Sequence, residues 1–184
     1  MLMQRGFLLT AMFLLGLSGA AAQDGERASA RKQEIDAAAQ ETLDELFRAQ
    51  GNARELYDRA VGYAVFTATK AGFIVSGGGG TGVAVNKGTG QRTYMRMGTG
   101  GIGFGIGAQR YSVIVLFENE GALSKFVAGG WDSSATAEAA AGKEGVAVRS
   151  SFIDGMAFFQ LTDKGLMAHA DVTGTRFWVI DELR

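Results

Sequence analysis

Residues 77–88 read GGGGTGVAVNKG and residues 98–107 read GTGGIGFGIG, and we expect the fold to be built around this glycine-rich stretch. Glycine recurs at alternate positions in two runs: Gly78, Gly80 and Gly82, then Gly101, Gly103, Gly105 and Gly107. Alternation with period two is typical of a strand whose two faces differ, and here one face carries no side chain. Each glycine in a strand lowers stability by about 0.5–1 kcal/mol relative to alanine. A face without side chains is therefore favoured only where another backbone comes too close for a Cβ. We therefore predict two glycine-faced strands, joined by a hairpin at residues 86–88, at the tight centre of a mostly antiparallel sheet.

The flanking segments predict helices before this stretch and more strands after it. Residues 24–50 carry an apolar stripe at helical spacing, Gly51 is expected to end that helix, and Asn52 to begin a second. A further helix is predicted at residues 119–128, with Asn119 as its N-cap. Strands are predicted at residues 61–69, 73–85, 91–97, 100–107, 110–117, 146–149, 155–161, 166–172 and 177–180. This order predicts an α+β fold: a compact, mostly antiparallel glycine-rich sheet or small barrel packed with N-terminal and central helices.

The first 22 residues have the pattern of a signal peptide. Arg5 gives a positive start, residues 6–17 are apolar, and three alanines at 20–22 fit a cleavage site. Residues 23–184 then form one domain, with a helical lead-in at 23–60 and a sheet at 61–184. The chain has no cysteine, so we expect no disulfide. From the signal peptide we expect an exported protein, periplasmic or extracellular and peripheral to the membrane.

The motifs of common enzymes and metal sites are absent from the sequence. Residues 98–103 satisfy G-x-G-x-x-G, but the alternation that follows predicts a strand, whereas dinucleotide binding requires a helix there. His169 is the only histidine, and with Asp171 it makes too few ligands for a metal site, so we expect it to be partly buried and bonded to a neighbour. No G-x-S-x-G motif supplies a nucleophile. We predict no catalytic residue, metal or cofactor, and a net charge of −1 argues against nucleic-acid binding.

Basic residues are the remaining candidates for a binding site. Five of them fall near strand ends or hairpins of the predicted sheet: Lys70, Lys87, Arg92, Arg96 and Arg110. A cluster of cations at one rim can hold phosphate oxygens. The alternative is that these side chains only solvate the outer face of an edge strand, and the residue pattern by itself favours that alternative.

The glycine stretch and its flanks resemble the SYLF domain family. The resemblance is carried by residues 60–66 (AVGYAVF), 70–73 (KAGF), 80–83 (GTGV), 103–109 (GFGIGAQ), 113–117 (VIVLF), 119–123 (NEGAL) and Phe126. That family includes lipid-binding, actin-regulating domains of eukaryotes and exported bacterial proteins. The resemblance implies a non-enzymatic module that binds phosphoinositides or other anionic lipids.

On this resemblance we expect an exported module that recognises anionic phospholipid headgroups at a membrane surface, with the five cations as headgroup contacts. Envelope proteins are further expected partners, whereas actin is excluded if the protein is periplasmic. Two alternatives stay open. One is a small outer-membrane β-barrel. The other is a structural envelope protein that acts through protein partners, using an exposed aromatic residue such as Trp131 or Trp178.

Overall fold

The computed structural model describes residues 11–72, 75–102, 107–129, 152, 154–162, 165–166 and 175–184. The elements in these ranges are α1 (Ala11–Ala49), α2 (Gly51–Arg59), β1 (Gly62–Gly72), β2 (Val75–Asn86), β3 (Arg92–Ile102), β4 (Gly107–Phe117), α3 (Glu120–Val127), β5 (Met156–Thr162), β6 (Gly165–Leu166), β7 (Thr175–Val179) and a 3-10 helix (Asp181–Leu183). This confirms the predicted α+β class. No helix within the described ranges has a stretch both long and apolar enough to cross a bilayer.

The strands form one antiparallel sheet in the order β6-β5-β4-β1-β2-β3-β7. Among the described residues β6 and β7 are the outer strands and do not pair with each other, so the sheet is open rather than closed into a barrel. The predicted β2–β3 hairpin is confirmed, with its turn at residues 87–89. The Asn86 side-chain oxygen accepts hydrogen bonds from the backbone N–H groups of Gly88 (2.9 Å) and Thr89 (3.0 Å), which is the turn chemistry that favours asparagine there.

One face of the sheet, the α1 face, packs against α1. The predicted apolar stripe of this helix is buried: Ile35, Ala39, Leu43 and Leu46 are each at most 6% exposed. It meets Val65, Val83, Ile114 and Phe159 from four neighbouring strands in one apolar cluster. Because burying each large aliphatic side chain contributes about 1.5–3 kcal/mol, this contact fixes α1 across the sheet.

The opposite face, the α3 face, packs against α3 and a cluster of phenylalanines. The Phe126 ring of α3 lies 5.1 Å from Phe117 and 4.9 Å from Phe177, and Phe66 lies 4.7 Å from Phe177. Asn119 caps α3, as predicted, by accepting a 2.9 Å hydrogen bond from the Ala122 N–H. Gly129, with φ of +75°, takes the left-handed conformation expected just after this helix.

On this α3 face, main chain lies too close for side chains at Gly80 and Gly82. A Cβ at Gly80 would collide with the Thr67 carbonyl oxygen, and one at Gly82 with the Val65 carbonyl oxygen and the Phe66 ring. Gly78 continues the same alternate series toward the beginning of β2, opposite Lys70. The prediction of a glycine face against closely apposed backbone is therefore confirmed at Gly80 and Gly82.

The second predicted glycine-faced strand, at residues 100–107, is wrong. Strand β3 runs unbroken through the expected break after Met97 and ends at Ile102, and Gly107 begins β4. The reason is long-range pairing: Gly98 and Gly100 of β3 lie opposite Gly79 and Gly77 of β2, which holds this glycine-rich segment extended. Gly101 thus lies in β3, whereas Gly103 and Gly105 fall outside the described residues.

The junction of the first two helices also differs from the prediction. Helix α2 already begins at Gly51, and Gln50 takes the extended N-cap conformation that had been expected one or two residues later. The bend is possible without a glycine because φ of −145° is open to any residue. The predicted strand at 146–149 and His169 lie outside the described residues.

Candidate functional site

The charged residues of this protein are separated by secondary structure. None of the seven described strands contains Asp or Glu, yet five basic residues lie on them: Lys70, Arg92, Arg96, Arg110 and Arg176. The acidic residues of the described chain lie instead on the helices and the loops. The chain as a whole has a net charge of −1, but every charged side chain on its described strands is basic. An anion near these strands is therefore not repelled by any carboxylate on them.

Strand register places most of these cations in two adjacent rows on the α1 face. One row across β4-β1-β2-β3-β7 is Arg110, Thr69, Gly79, Gly98 and Arg176. The next row, nearer the apolar cluster, is Ser112, Thr67, Thr81, Arg96 and Trp178. Since neighbouring strands are about 4.8 Å apart, Arg110 and Arg176 stand roughly 19 Å apart along the sheet.

Between the arginines lies a flat patch of four glycines, Gly77, Gly79, Gly98 and Gly100, in which Gly77 pairs with Gly100 and Gly79 with Gly98. No atom would come within 4 Å of a Cβ built at Gly77 or Gly100, so the patch is open above its backbone. Trp178 borders it, since the far edge of its ring would lie 2.9 Å from a Cβ at Gly98. The indole is 45% exposed, and it is the one large hydrophobic side chain of the described residues that is this exposed.

We call this surface the basic platform and define it as Arg96, Arg110, Arg176, Trp178 and the four glycines. Its three arginines are exposed. Their side chains form no ion pair or hydrogen bond with any other described residue. Each guanidinium can therefore offer its full set of N–H donors to a ligand.

Three exposed arginines and an exposed tryptophan beside an open backbone surface form a platform suited to binding. Within the described residues no group of Asp, Glu, His or Cys side chains is placed to hold a metal ion.

The comparisons with known proteins agree with the sequence resemblance. Residues 98–183, which include Arg110, Arg176 and Trp178, match the family described as "Las17-binding protein actin regulator" (Ysc84). The chain belongs to the SYLF family. SYLF domains are non-catalytic binding domains associated with lipids and with actin-related partners.

One SYLF relative is beta cell expansion factor A of Aeromonas veronii. It is 37% identical over 149 residues, which are 81% of this chain and 57% of the relative. The chain thus spans little more than half of that relative's length.

Arg92, although predicted as a headgroup contact, is engaged within the SYLF domain. Its guanidinium binds Asp36 of α1 at 2.9 Å, and Asp36 also accepts a 3.0 Å hydrogen bond from the Tyr94 hydroxyl. Burial raises the pKa of the Tyr94 phenol, and its hydrogen bond to Asp36 raises it further. Lys32 lies over the Tyr94 ring at 5.5 Å, so two basic residues hold α1 to the edge of the sheet here.

Lys87 also has partners inside the SYLF domain. Its ammonium donates to the carbonyl oxygens of Tyr57 (2.6 Å) and Ala60 (3.0 Å), and it lies 4.4 Å from the centre of the Tyr57 ring. These carbonyls end α2, where a cation is favoured by the helix dipole.

The backbone of Lys70 pairs with Gly78 and Gln109. Of the five predicted cations, the structure thus brings Arg96 and Arg110 onto the platform, and their role in binding stays a prediction.

Arg176 and the glycine patch were missed by the sequence reasoning. Arg176 is 66 positions from Arg110 in the chain, and the two lie in one row only through the pairings that link β4, β1, β2, β3 and β7. The β2–β3 hairpin has a local turn signal, whereas the β3–β7 and β1–β4 pairings have none. The charges did contain a signal of the basic surface. No predicted strand of the glycine-rich region contains an acidic residue, and every charged residue on those strands is basic.

Proposed function

We propose that this SYLF domain binds anionic lipid headgroups at a membrane surface through the basic platform. The observation that carries the proposal is that three arginines of the described strands have no ion pair among the described residues and that no described strand contains an acidic residue. Arginine's planar fork matches phosphate oxygens in bidentate geometry. Each basic residue near an anionic bilayer contributes about 1 kcal/mol of attraction.

The glycine patch and Trp178 support the same function. A surface without side chains lets headgroups approach the backbone closely. Tryptophan favours the bilayer interface because its ring is apolar and its N–H remains wet. From the signal-peptide pattern of residues 1–22 we further propose that the protein is exported and reaches the outer side of the cytoplasmic membrane, or the outer membrane, from the periplasm.

Vesicle co-sedimentation of the purified protein tests the proposal. We expect binding to phosphatidylglycerol vesicles, little binding to phosphatidylcholine vesicles, and loss of binding as salt screens the charges. The triple variant Arg96→Gln, Arg110→Gln, Arg176→Gln should lose about 3 kcal/mol of binding, roughly a hundredfold in affinity.

The matched control is Arg48→Gln, Arg54→Gln, Arg184→Gln, which changes the net charge equally but lies on α1, α2 and the chain end. It should bind nearly as the unmodified protein does. Equal losses in both triple variants would mean that only net charge matters, and equal binding to both vesicle types would exclude anionic recognition.

A protein partner is the second candidate, and the exposure of Trp178 favours it. In that case Trp178→Ala would abolish capture of an envelope protein in extracts from which lipid has been removed. Vesicle binding would then be absent from the start.

A further inference from the structure

Beneath α1, beside the basic platform, lies a space that side chains do not fill. A cavity of about 540 Å³ lies between α1 and strands β1 and β2, with Thr67 and Thr81 as its floor. A second cavity of about 460 Å³ lies between α1 and strands β1, β4 and β5. Thr67 and Ala38 line both, so the two cavities adjoin beneath the helix. We call them together the α1 trench.

The α1 trench exists because short side chains face each other. Helix α1 presents Ala30, Ala38 and Ala39 to it, and the sheet presents the row that contains Thr67 and Thr81. Both cavities open to solvent along one side, where Thr67 and Ala30 are exposed, and ligand pockets run from about 300 to 1,000 Å³. The volume of each cavity is within the range of a ligand site.

The lining of the larger cavity is amphipathic. One wall is apolar, with the three alanines, Ile35 and Val65. The hydroxyls of Thr67 and Thr81 make no side-chain hydrogen bond with any described residue, which leaves two polar groups free for a ligand.

Charge is concentrated at one end of this cavity. Arg27 and Arg31, one helical turn apart on α1, line it together with Glu34. Arg27 has an exposed ion pair with Asp24 at 3.7 Å, and Arg31 has no ion pair within the described residues. An apolar wall with two guanidinium groups at one end is complementary to a single hydrocarbon chain that ends in an anionic headgroup.

We propose that the α1 trench binds one single-chain anionic amphiphile, with its headgroup at Arg27 and Arg31 and its chain under α1 along the threonine row. This site shares only Arg110 with the basic platform, because Arg110 lines the smaller cavity together with Glu41 and Glu45. Binding of the amphiphile does not depend on vesicle binding. It would allow the protein to hold a lipid molecule taken out of a bilayer as well as to contact the bilayer surface.

Calorimetric titration of the full chain with dodecanoate, below its micelle concentration, tests the trench. We expect saturable binding of one molecule per protein. Dodecanol, which lacks the charge, should bind about tenfold more weakly, and acetate, which lacks the chain, should not bind measurably. Acetate binding as tight as dodecanoate binding, or a stoichiometry well above one, would overturn the proposal.

Two matched helix variants locate the site. Ala38→Phe fills the point where the two cavities adjoin and should weaken dodecanoate binding at least tenfold. Ala37→Phe adds the same ring at an exposed position that lines neither cavity and should bind normally. Equal affinity in the two variants would place the ligand elsewhere.

A second, milder variant guards against misfolding of Ala38→Phe. Arg31 is exposed, so Arg31→Gln should fold normally, weaken dodecanoate about tenfold and leave dodecanol unchanged. Unchanged dodecanoate affinity would contradict the headgroup assignment.

The double variant Arg96→Gln, Arg176→Gln separates this site from the platform, since neither residue lines the trench. It should lose vesicle binding and keep dodecanoate binding. Loss of both would mean that the trench and platform are not independent and would overturn the proposal of two sites.

Discussion

The two faces of the sheet use glycine for opposite reasons. On the α3 face, Gly80 and Gly82 lie against the backbone of β1 and leave no room for a Cβ. On the α1 face, Gly77 and Gly100 lie in open space, where a Cβ would touch nothing. The first pair is required by packing. The second pair is not, and a residue that costs stability without a packing reason points to close approach by a ligand.

Of the substitutions that compare the two faces, those of aromatic residues should differ most in their effect on the free energy of unfolding. Phe126 of α3 is 1% exposed and contacts three other phenylalanine rings, so Phe126→Ala should lower the free energy of unfolding by about 3–5 kcal/mol. Trp178→Ala, at the platform, should cost less than about 1.5 kcal/mol because the indole is 45% exposed. Urea unfolding measures both, and similar losses would contradict the assignment of Trp178 to a binding surface.

Paired glycine substitutions come next. Gly82→Ala should destabilise the protein by about 1–3 kcal/mol, since strand β1 must move away from the new methyl group. Gly77→Ala should be neutral or stabilising by up to about 1 kcal/mol, because alanine loses less conformational entropy on folding. The same urea assay applies. A loss from Gly77→Ala equal to that from Gly82→Ala would show that the open face is structurally constrained after all.

These contrasts show which parts of the fold could be predicted from the sequence. The strand at residues 110–117, the Asn119 cap and the hairpin at Asn86 follow from local patterns, and each is confirmed. The extent of β3 does not, because Gly98 and Gly100 have low strand propensity and are held extended only by β2.

The candidate site was predictable only in part. Arg96 and Arg110 could be picked out as basic residues near strand ends, but spacing along the chain cannot show that Arg92 meets Asp36, 56 residues away, while Arg96 is left free. The choice between a structural and an available cation depends on where the helices dock. That docking is set by tertiary packing of the α1 stripe rather than by any motif.

Substitutions of two basic residues test this distinction between structural and available cations. Lys87→Met removes the ammonium that binds the end of α2 and should cost about 1 kcal/mol of stability. Arg96→Met should change the free energy of unfolding by less than about 0.5 kcal/mol, since Arg96 is exposed and without an ion pair among the described residues. In vesicle binding the order should reverse, with Arg96→Met the weaker binder. If either variant lowered the free energy of unfolding and the vesicle affinity equally, the division into structural and available cations would be contradicted.

The smallest effect concerns the edge where α1 meets β3, and it appears at alkaline pH. Burial raises the pKa of the Tyr94 phenol, with a further increase from Asp36, so folding favours the neutral form. Tyr94 therefore contributes stability that is fully present below about pH 10 and is lost as the pH rises through its raised pKa. Burial also raises the pKa values of Tyr57 and Tyr63, so they share the alkaline loss.

Replacing Tyr94 by phenylalanine should lower the free energy of unfolding by about 1 kcal/mol at pH 7, because the hydrogen bond to Asp36 is lost. It should also make the fall of that free energy at alkaline pH shallower, because the Tyr94 phenol no longer contributes to it. Urea midpoints at pH 7, 9, 10 and 11 measure both effects. Asp36→Asn keeps the burial of the phenol and removes the negative charge, so its decline should lie between the other two. An unaltered alkaline slope in Tyr94→Phe would mean that the phenol is solvated in the folded protein. Helix α1 would then not cover the β3 edge, and Arg92 would be as free to bind a ligand as Arg96.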